Sequence, residues 1–98
     1  SGSMQAQEVL QSLRASQPAL ASHHVASLAL FGSVARNEAK PESDVDILVE
    51  FCQPVGLFEF VRLKRLLESI LGHPVDLVTP DALRESMRAQ ILDEALYA

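Results

Sequence analysis

Two carboxylates near the middle of the sequence stand at a spacing that suits metal binding. Asp44 and Asp46 are two residues apart at the start of an apolar run. Successive side chains of a strand point to opposite faces, so both carboxylates would project from one face with Cα atoms roughly 6.5 to 7 Å apart. Oxygen ligands at this spacing suit Mg²⁺, which completes its coordination with water and substrate phosphates. The pair therefore predicts a magnesium site, with room for two ions about 3.5 to 4 Å apart.

A second segment, earlier in the chain, predicts a phosphate-binding turn. Gly32 and Ser33 directly follow the apolar run Leu-Ala-Leu-Phe. Glycine permits a tight turn and the close approach of a ligand, and the free N–H groups of a following helix attract anions. Ser33 adds a hydroxyl group, and Arg36 lies one helical turn later, where its guanidinium could bind a phosphate. Together these residues predict a triphosphate cradle facing the metal pair.

A third acidic side chain, Asp76, stands between two apolar residues later in the chain. A carboxylate in apolar surroundings is unfavourable unless it is exposed, paired or bound to a cation. Each feature alone also has a structural interpretation: an ordinary turn, a solvated strand end, a surface arginine and an acid at a sheet edge. The order of the features favours a site, because ten residues separate Ser33 from Asp44 and a strand-borne acid follows them.

The segments 32–36 and 43–49 resemble the signature of the polymerase-β-like nucleotidyltransferase superfamily. The resemblance is closest to its smallest members, the minimal nucleotidyltransferase (MNT) domain proteins that act as antitoxins to HEPN-domain ribonuclease toxins. It implies an α/β nucleotidyltransferase fold, with a small mixed sheet of about three strands and helices packed mainly on one face. The family often has glycine at the position of Asn37, and asparagine tolerates the left-handed conformation, so this turn is expected to be preserved.

The resemblance also implies an enzyme that transfers a nucleotide. Its cofactor would be Mg²⁺, as two ions, and its substrate ATP. Its catalytic and metal-binding carboxylates would be Asp44, Asp46 and Asp76. Its nucleotide-binding residues would be Gly32, Ser33, Arg36 and Ser43. The acceptor that the family implies is a tyrosine hydroxyl on a cognate HEPN toxin, which AMP transfer would neutralise within a hetero-oligomer.

Two other functions are compatible with the same residues. The domain could neutralise a toxin by complex formation alone, as a binding module whose acidic site is vestigial or only binds nucleotide. It could also be a subunit of a small-molecule nucleotidyltransferase, similar to antibiotic adenylyltransferases. The sequence shows no acceptor-binding domain after the last predicted helix, which favours a macromolecular acceptor over a small molecule.

Composition limits the class of protein. The chain has 98 residues, of which 48% are hydrophobic, so a single domain over residues 4–98 is expected, with residues 1–3 as an expression remnant. A net charge of −5 without a basic run argues against direct binding of nucleic acid. No segment approaches the roughly twenty apolar residues that cross a membrane, and no secretory pattern is present. A cytoplasmic protein is therefore expected.

Hydrophobic periodicity predicts the elements that position these residues. Helical spacing of apolar residues predicts helices over 5–16, over 57–71 and from about residue 80 towards the chain end. Apolar runs predict strands at about 25–31 and 75–78, and a strand that begins at the Asp44 pair. Gly72, with a proline two residues later, predicts the C-terminal cap of the second helix. The last helix is expected to carry one apolar face, part of it exposed at the end of the sheet: Leu83, Met87, Ile91 and Ala95.

Overall fold

Residues 5–38, 44–83 and 85–98 are described by the computed structural model, and they form an α/β fold. The elements are α1 (Ala6–Ala15), α2 (Gln17–Ala21), β1 (Val25–Phe31), α3 (Gly32–Ala35), β2 (Val45–Phe51), α4 (Leu57–Leu71), β3 (Val75–Val78), a 3₁₀ turn (Pro80–Ala82), α5 (Glu85–Glu94) and β4 (Leu96–Tyr97). The strands form one mixed sheet in the order β3-β2-β1-β4. β1 is antiparallel to β2 and β4, and β2 is parallel to β3.

One face of the sheet carries the hydrophobic core. Val45, Ile47 and Val49 alternate along β2 and are 0% exposed, and the strand registers place Leu30 and Leu77 beside Ile47. Helices α1 and α4 contribute their buried apolar stripes to the same core, through Val9, Leu13, Leu63 and Leu67. Burial of each large apolar side chain contributes about 1.5 to 3 kcal/mol, so this face holds most of the stabilising contacts.

The opposite face of the sheet carries the other set of alternating residues. Ala29 and Leu48 are buried there but lie outside the main core cluster. Helix α5 packs against β1 and α3, and among its described side chains Ile91 is buried. Asp46 and Asp76 occupy the same face by strand alternation. Because α1 and α4 cover only the core face, the acidic side chains remain accessible.

The fold class expected from the family resemblance is confirmed, and several elements have the predicted bounds. Strands β1 and β3 and helix α4 span the predicted residues. Gly72 caps α4 in the left-handed region at φ 70°, and its N–H donates to the carbonyl oxygen of Glu68 at 2.8 Å. Among the described residues, no helix is long and apolar enough to cross a membrane.

The C-terminal part differs from the prediction in two respects. The last helix was expected from about Pro80, but a 3₁₀ turn comes first and α5 runs only from Glu85 to Glu94. Leu83 and Ala95, expected on its apolar face, therefore lie outside it. The segment Leu96–Tyr97 forms a fourth strand that pairs with the free edge of β1. A segment of two residues is too short for the alternation of apolar and polar side chains that predicts a strand. It pairs here because β1 offers an unpaired edge.

Asn37 connects the loop after α3 to the start of α1. Its φ of 57° is left-handed, as predicted for a residue that takes the place of the family glycine. Its side-chain Oδ1 accepts a hydrogen bond from the backbone N–H of Ala6 at 3.0 Å. Ala6 is the first residue of α1, and the N-cap residue Gln5 makes no side-chain cap. Asn37 therefore supplies the helix cap from 31 residues away.

We expect Asn37→Ala to lower the free energy of unfolding by about 2 kcal/mol, because a lost cap costs about 1 kcal/mol and a left-handed alanine costs about 1 kcal/mol more. Asn37→Gly keeps the backbone conformation and should lose only the cap. Urea denaturation of both variants measures the two contributions separately. If both variants lost the same free energy of unfolding, the left-handed backbone would make no contribution to the effect of Asn37→Ala.

Candidate active site

The three predicted carboxylates are neighbours at one end of the sheet. Asp46 of β2 and Asp76 of β3 are Cα partners in the parallel ladder, so their side chains project from the same face. Asp44 immediately precedes β2 and is close enough for its charge to act on Asp46. Asp46 is half-buried, whereas Asp44 and Asp76 are exposed. The structure therefore brings together the acidic residues that the sequence singled out.

The charge state of Asp46 reflects this crowding. Burial, followed by the negative charges of Asp76 and Asp44, raises the pKa of Asp46 from its ordinary value of 3.8 to about 6. The positive charge of Arg36 acts in the opposite direction but does not cancel the effect. A divalent cation between the carboxylates would remove the repulsion, because an opposite charge favours the ionised form. The oxygen donors and their unbalanced charge thus fit Mg²⁺.

The carboxylates are not arranged as a closed set of ligands. Within residues 5–38, 44–83 and 85–98, no three acidic, histidine or cysteine side chains are placed to hold one ion. Asp44 and Asp76 are exposed, so their side chains have room to rotate towards a cation. Coordination would therefore require a change of side-chain conformation but no change of the strand register.

The Gly32-Ser33 turn lies directly against the acidic cluster. Strand β1 ends at Phe31, which is the Cα partner of Asp46, and the chain turns at Gly32 with a left-handed φ of 73°. A Cβ atom at Gly32 would overlap Oδ2 of Asp46. Only glycine permits both the backbone conformation and this close approach. The predicted phosphate cradle and the predicted metal ligands thus share one surface.

Arg36 lies at the end of α3 and acts electrostatically on Asp46. Its Nη1 donates to both carboxylate oxygens of Glu94 at 3.3 Å, and its Nε donates to Glu38 at 3.4 Å. Sequence reasoning missed Glu94, because it follows Arg36 by 58 residues and no local pattern links the two. The fourth predicted nucleotide-binding residue, Ser43, lies outside the described residues.

A surface groove of about 760 Å³ lies at the other end of the sheet. It is lined by residues 49–57, by Phe60 and by the turn Thr79–Asp81. Its charged lining residues are Glu50 and Asp81, and no lysine or arginine of the described residues lines it. Acidic walls repel a triphosphate. The size of this groove therefore does not make it the nucleotide site.

Comparison with known proteins identifies the family. The family model described as "Nucleotidyltransferase domain" matches residues 7–98. The chain belongs to this family. A relative from Thermococcus cleftensis, named protein adenylyltransferase MntA, is 42% identical over 73 residues, which is 74% of this chain and 74% of the relative. The protein is accordingly a nucleotidyltransferase, and the sequence resemblance is confirmed at the level of the family.

Solved structures support the same fold. The structure of a candidate minimal nucleotidyltransferase is 38% identical, with a TM-score of 0.82, and the match covers 95% of both chains. A chain in the complex of a tri-AMPylated HEPN toxin with its MNT antitoxin, from Shewanella oneidensis, is 22% identical with a TM-score of 0.57. That match covers 94% of this chain and 66% of the other. At this identity, the second comparison shows a shared nucleotidyltransferase fold.

The raised pKa of Asp46 predicts that the stability of this nucleotidyltransferase depends on pH. The folded protein holds this proton up to a pH of about 6, whereas an unfolded aspartate releases it near 3.8. The folded state therefore binds more protons between these values, and the stability of the metal-free protein should fall as pH rises through them. Asp46→Asn removes the ionisable group. We expect its melting temperature to exceed that of the wild type above pH 7, with the difference shrinking towards pH 4.

Thermal unfolding in a metal chelator between pH 4 and pH 8 measures this difference. Asp81→Asn is the matched control, because it removes an exposed carboxylate at a distance from the cluster. Its melting temperature should follow that of the wild type at every pH. If Asp46→Asn has the same melting temperature as the wild type above pH 7, the carboxylate cluster does not destabilise the folded protein and the prediction is wrong.

Proposed function

We propose that this nucleotidyltransferase is an antitoxin that transfers AMP from ATP to a tyrosine hydroxyl of a cognate HEPN ribonuclease toxin. The observation that carries the proposal is the contact between the Gly32 turn and Asp46, with Asp76 as its partner on the next strand. The name of the Thermococcus relative, a protein adenylyltransferase, supports the class of acceptor. The AMPylated HEPN toxin in the complex of similar fold supports the identity of the partner.

ATP would bind between the turn and the carboxylates. The backbone N–H groups at Gly32 and the hydroxyl of Ser33 would bind the terminal phosphates, and the Arg36 guanidinium would add a positive charge. Two Mg²⁺ ions, held by Asp44, Asp46 and Asp76, would supply neutralisation of the phosphate charge when bound. Catalysis of phosphoryl-type transfer depends chiefly on such positioning and charge stabilisation. Ser43, outside the described residues, remains a proposed contact of the nucleotide.

The acceptor reaction requires a base, because an unperturbed tyrosine has a pKa of about 10. Asp76 is exposed beside Asp46, and its carboxylate would accept the proton of the tyrosine hydroxyl. The phenolic oxygen then forms a bond to the α-phosphorus of ATP. The bond between that phosphorus and the β-phosphate oxygen breaks, and pyrophosphate leaves. The product is a tyrosine carrying AMP.

Several exposed apolar side chains suit a complex with a protein partner. Leu57 and Phe58, at the start of α4, are 75% and 82% exposed, and Tyr97 in β4 is 50% exposed. Tyr97 lies on the sheet face that carries Asp46, because its Cα partner Ala29 lies on that face. These exposed side chains also favour the second candidate function, in which the domain neutralises the toxin by binding alone.

Intact-mass spectrometry of the chain incubated with its cognate HEPN protein, ATP and Mg²⁺ tests the proposal. We expect the toxin to gain the mass of one or more AMP groups, and fragmentation to place them on tyrosine. A chelator control should prevent the gain. A toxin that stays unmodified but inhibited in a stable complex would exclude catalysis and leave the binding module. Transfer to a small hydroxylated acceptor, with the toxin unmodified, would favour the small-molecule enzyme.

A further inference from the structure

The guanidinium of Arg36 is held by a residue from the other end of the chain. Its Nη1 lies 3.3 Å from each carboxylate oxygen of Glu94 in α5, and its Nε lies 3.4 Å from Glu38. The side chains of Arg36 and Glu94 are 46% and 26% exposed. Exposed ion pairs contribute little to stability. The contact thus has little value as a stabilising pair, and the charge of its Arg36 acts on Asp46, which points to another role.

Glu94 and Arg36 both lie on or at the end of packed helices, but Glu94 has the shorter and less exposed side chain. Ile91 is 7% exposed and lies three residues before Glu94, so both occupy the same face of α5. That helix packs against α3 and β1. Arg36 follows a helix of only four residues and carries a long, flexible side chain. Glu94 therefore has less conformational freedom than Arg36 in this pair.

We infer that Glu94 is a positioning residue for the nucleotide: it holds the Arg36 guanidinium at the acidic cluster before ATP binds. The inference rests on the proposed function. A free arginine side chain loses rotamer freedom when it binds a phosphate, and a guanidinium that is already fixed loses less. Glu94 and Glu38 take hydrogen bonds from Nη1 and Nε of Arg36, and Nη2 is the donor that would meet a phosphate oxygen in this arrangement.

Calorimetric titration with α,β-methylene-ATP and Mg²⁺ tests this role without turnover. We expect Glu94→Gln to weaken binding about five- to tenfold through lost preorganisation. In an Arg36→Ala background the same substitution should have no further effect, because the residues act as a unit. Asp93→Asn is the matched control, since it removes one exposed negative charge from the adjacent position of α5. Its affinity should equal that of the wild type.

Thermal unfolding of every variant separates affinity from folding. Glu94→Asp keeps the charge with a shorter reach and should bind with an affinity between those of the wild type and Glu94→Gln. The inference is overturned if Glu94→Gln binds the analogue as tightly as the wild type or more tightly. It is also overturned if Glu94→Gln weakens binding by the same factor in the Arg36→Ala background as in the wild type. If the wild type binds the analogue, the proposed function survives either result. If the wild type does not bind it, both proposals fail.

Discussion

Asp44→Asn is expected to abolish transfer of AMP to the toxin while leaving the fold intact. Asp44 is exposed and lies just outside β2, so the neutral amide removes no packing contact. It does remove one of three charges that would hold the metal ions against the phosphates. Loss of such charge stabilisation in the transition state should lower the transfer rate at least about a thousandfold.

Transfer of radiolabelled AMP to the purified toxin measures the effect of Asp44→Asn. Asp81→Asn serves as the control, since it removes a carboxylate from the far end of the sheet and should retain full activity. Circular dichroism and gel filtration of the complex show whether the variant still folds and binds. Full labelling by a folded Asp44→Asn would remove this residue from the proposed catalytic group.

Gly32→Ala is expected to reduce both stability and AMP transfer. An alanine at φ 73° is strained by about 1 to 2 kcal/mol, and its Cβ would overlap the Asp46 carboxylate. Relief of that overlap must displace either the turn or the carboxylate. Because a displacement of about 1 Å can cost on the order of a hundredfold in rate, we expect transfer to fall by at least that factor.

Two other glycines separate strain from overlap in this prediction. Gly72 has a left-handed φ of 70° but no atom within 4 Å of an added Cβ, and Gly56 likewise has open space around it. Gly72→Ala should therefore lose stability while keeping activity. Gly56→Ala should also keep activity and lose at most about 1 kcal/mol, because Gly56 is the N-cap of α4 and glycine is preferred to alanine there. Urea denaturation and the AMP-transfer assay on the three variants test this order. An active Gly32→Ala would show that the overlap does not disturb the site.

Stability and activity should change in opposite directions at the acidic cluster. Asp46→Asn relieves the repulsion that raises the pKa of this carboxyl, yet it removes a proposed metal ligand. Gly32→Ala differs from Asp46→Asn, because it should lower both stability and AMP transfer. An arrangement that is unfavourable in the folded protein without its ligand is typical of functional sites, where stability is often sacrificed for activity.

Local sequence was sufficient for the parts of the site that lie within one segment. Strand alternation predicted the pairing of Asp44 with Asp46, and Asp44, although it precedes β2, is near enough for its charge to act on Asp46. Gly32 marks a turn that other residues cannot adopt easily. Asn37 is left-handed, as its residue type allowed. The same local rules predicted β1, β3 and α4 with the observed bounds. These features depend on neighbours within a few residues, so one sequence suffices to predict them.

Only the tertiary structure decided which distant residues meet. The parallel register pairs Asp76 with Asp46, and this proximity contributes to the raised pKa. Packing of α5 brings Glu94 to Arg36, and the loop after α3 brings Asn37 to Ala6. Leu96–Tyr97 is a strand because it pairs with the free edge of β1. None of these contacts has a period or spacing in the sequence, because each depends on how separate elements pack and register against one another.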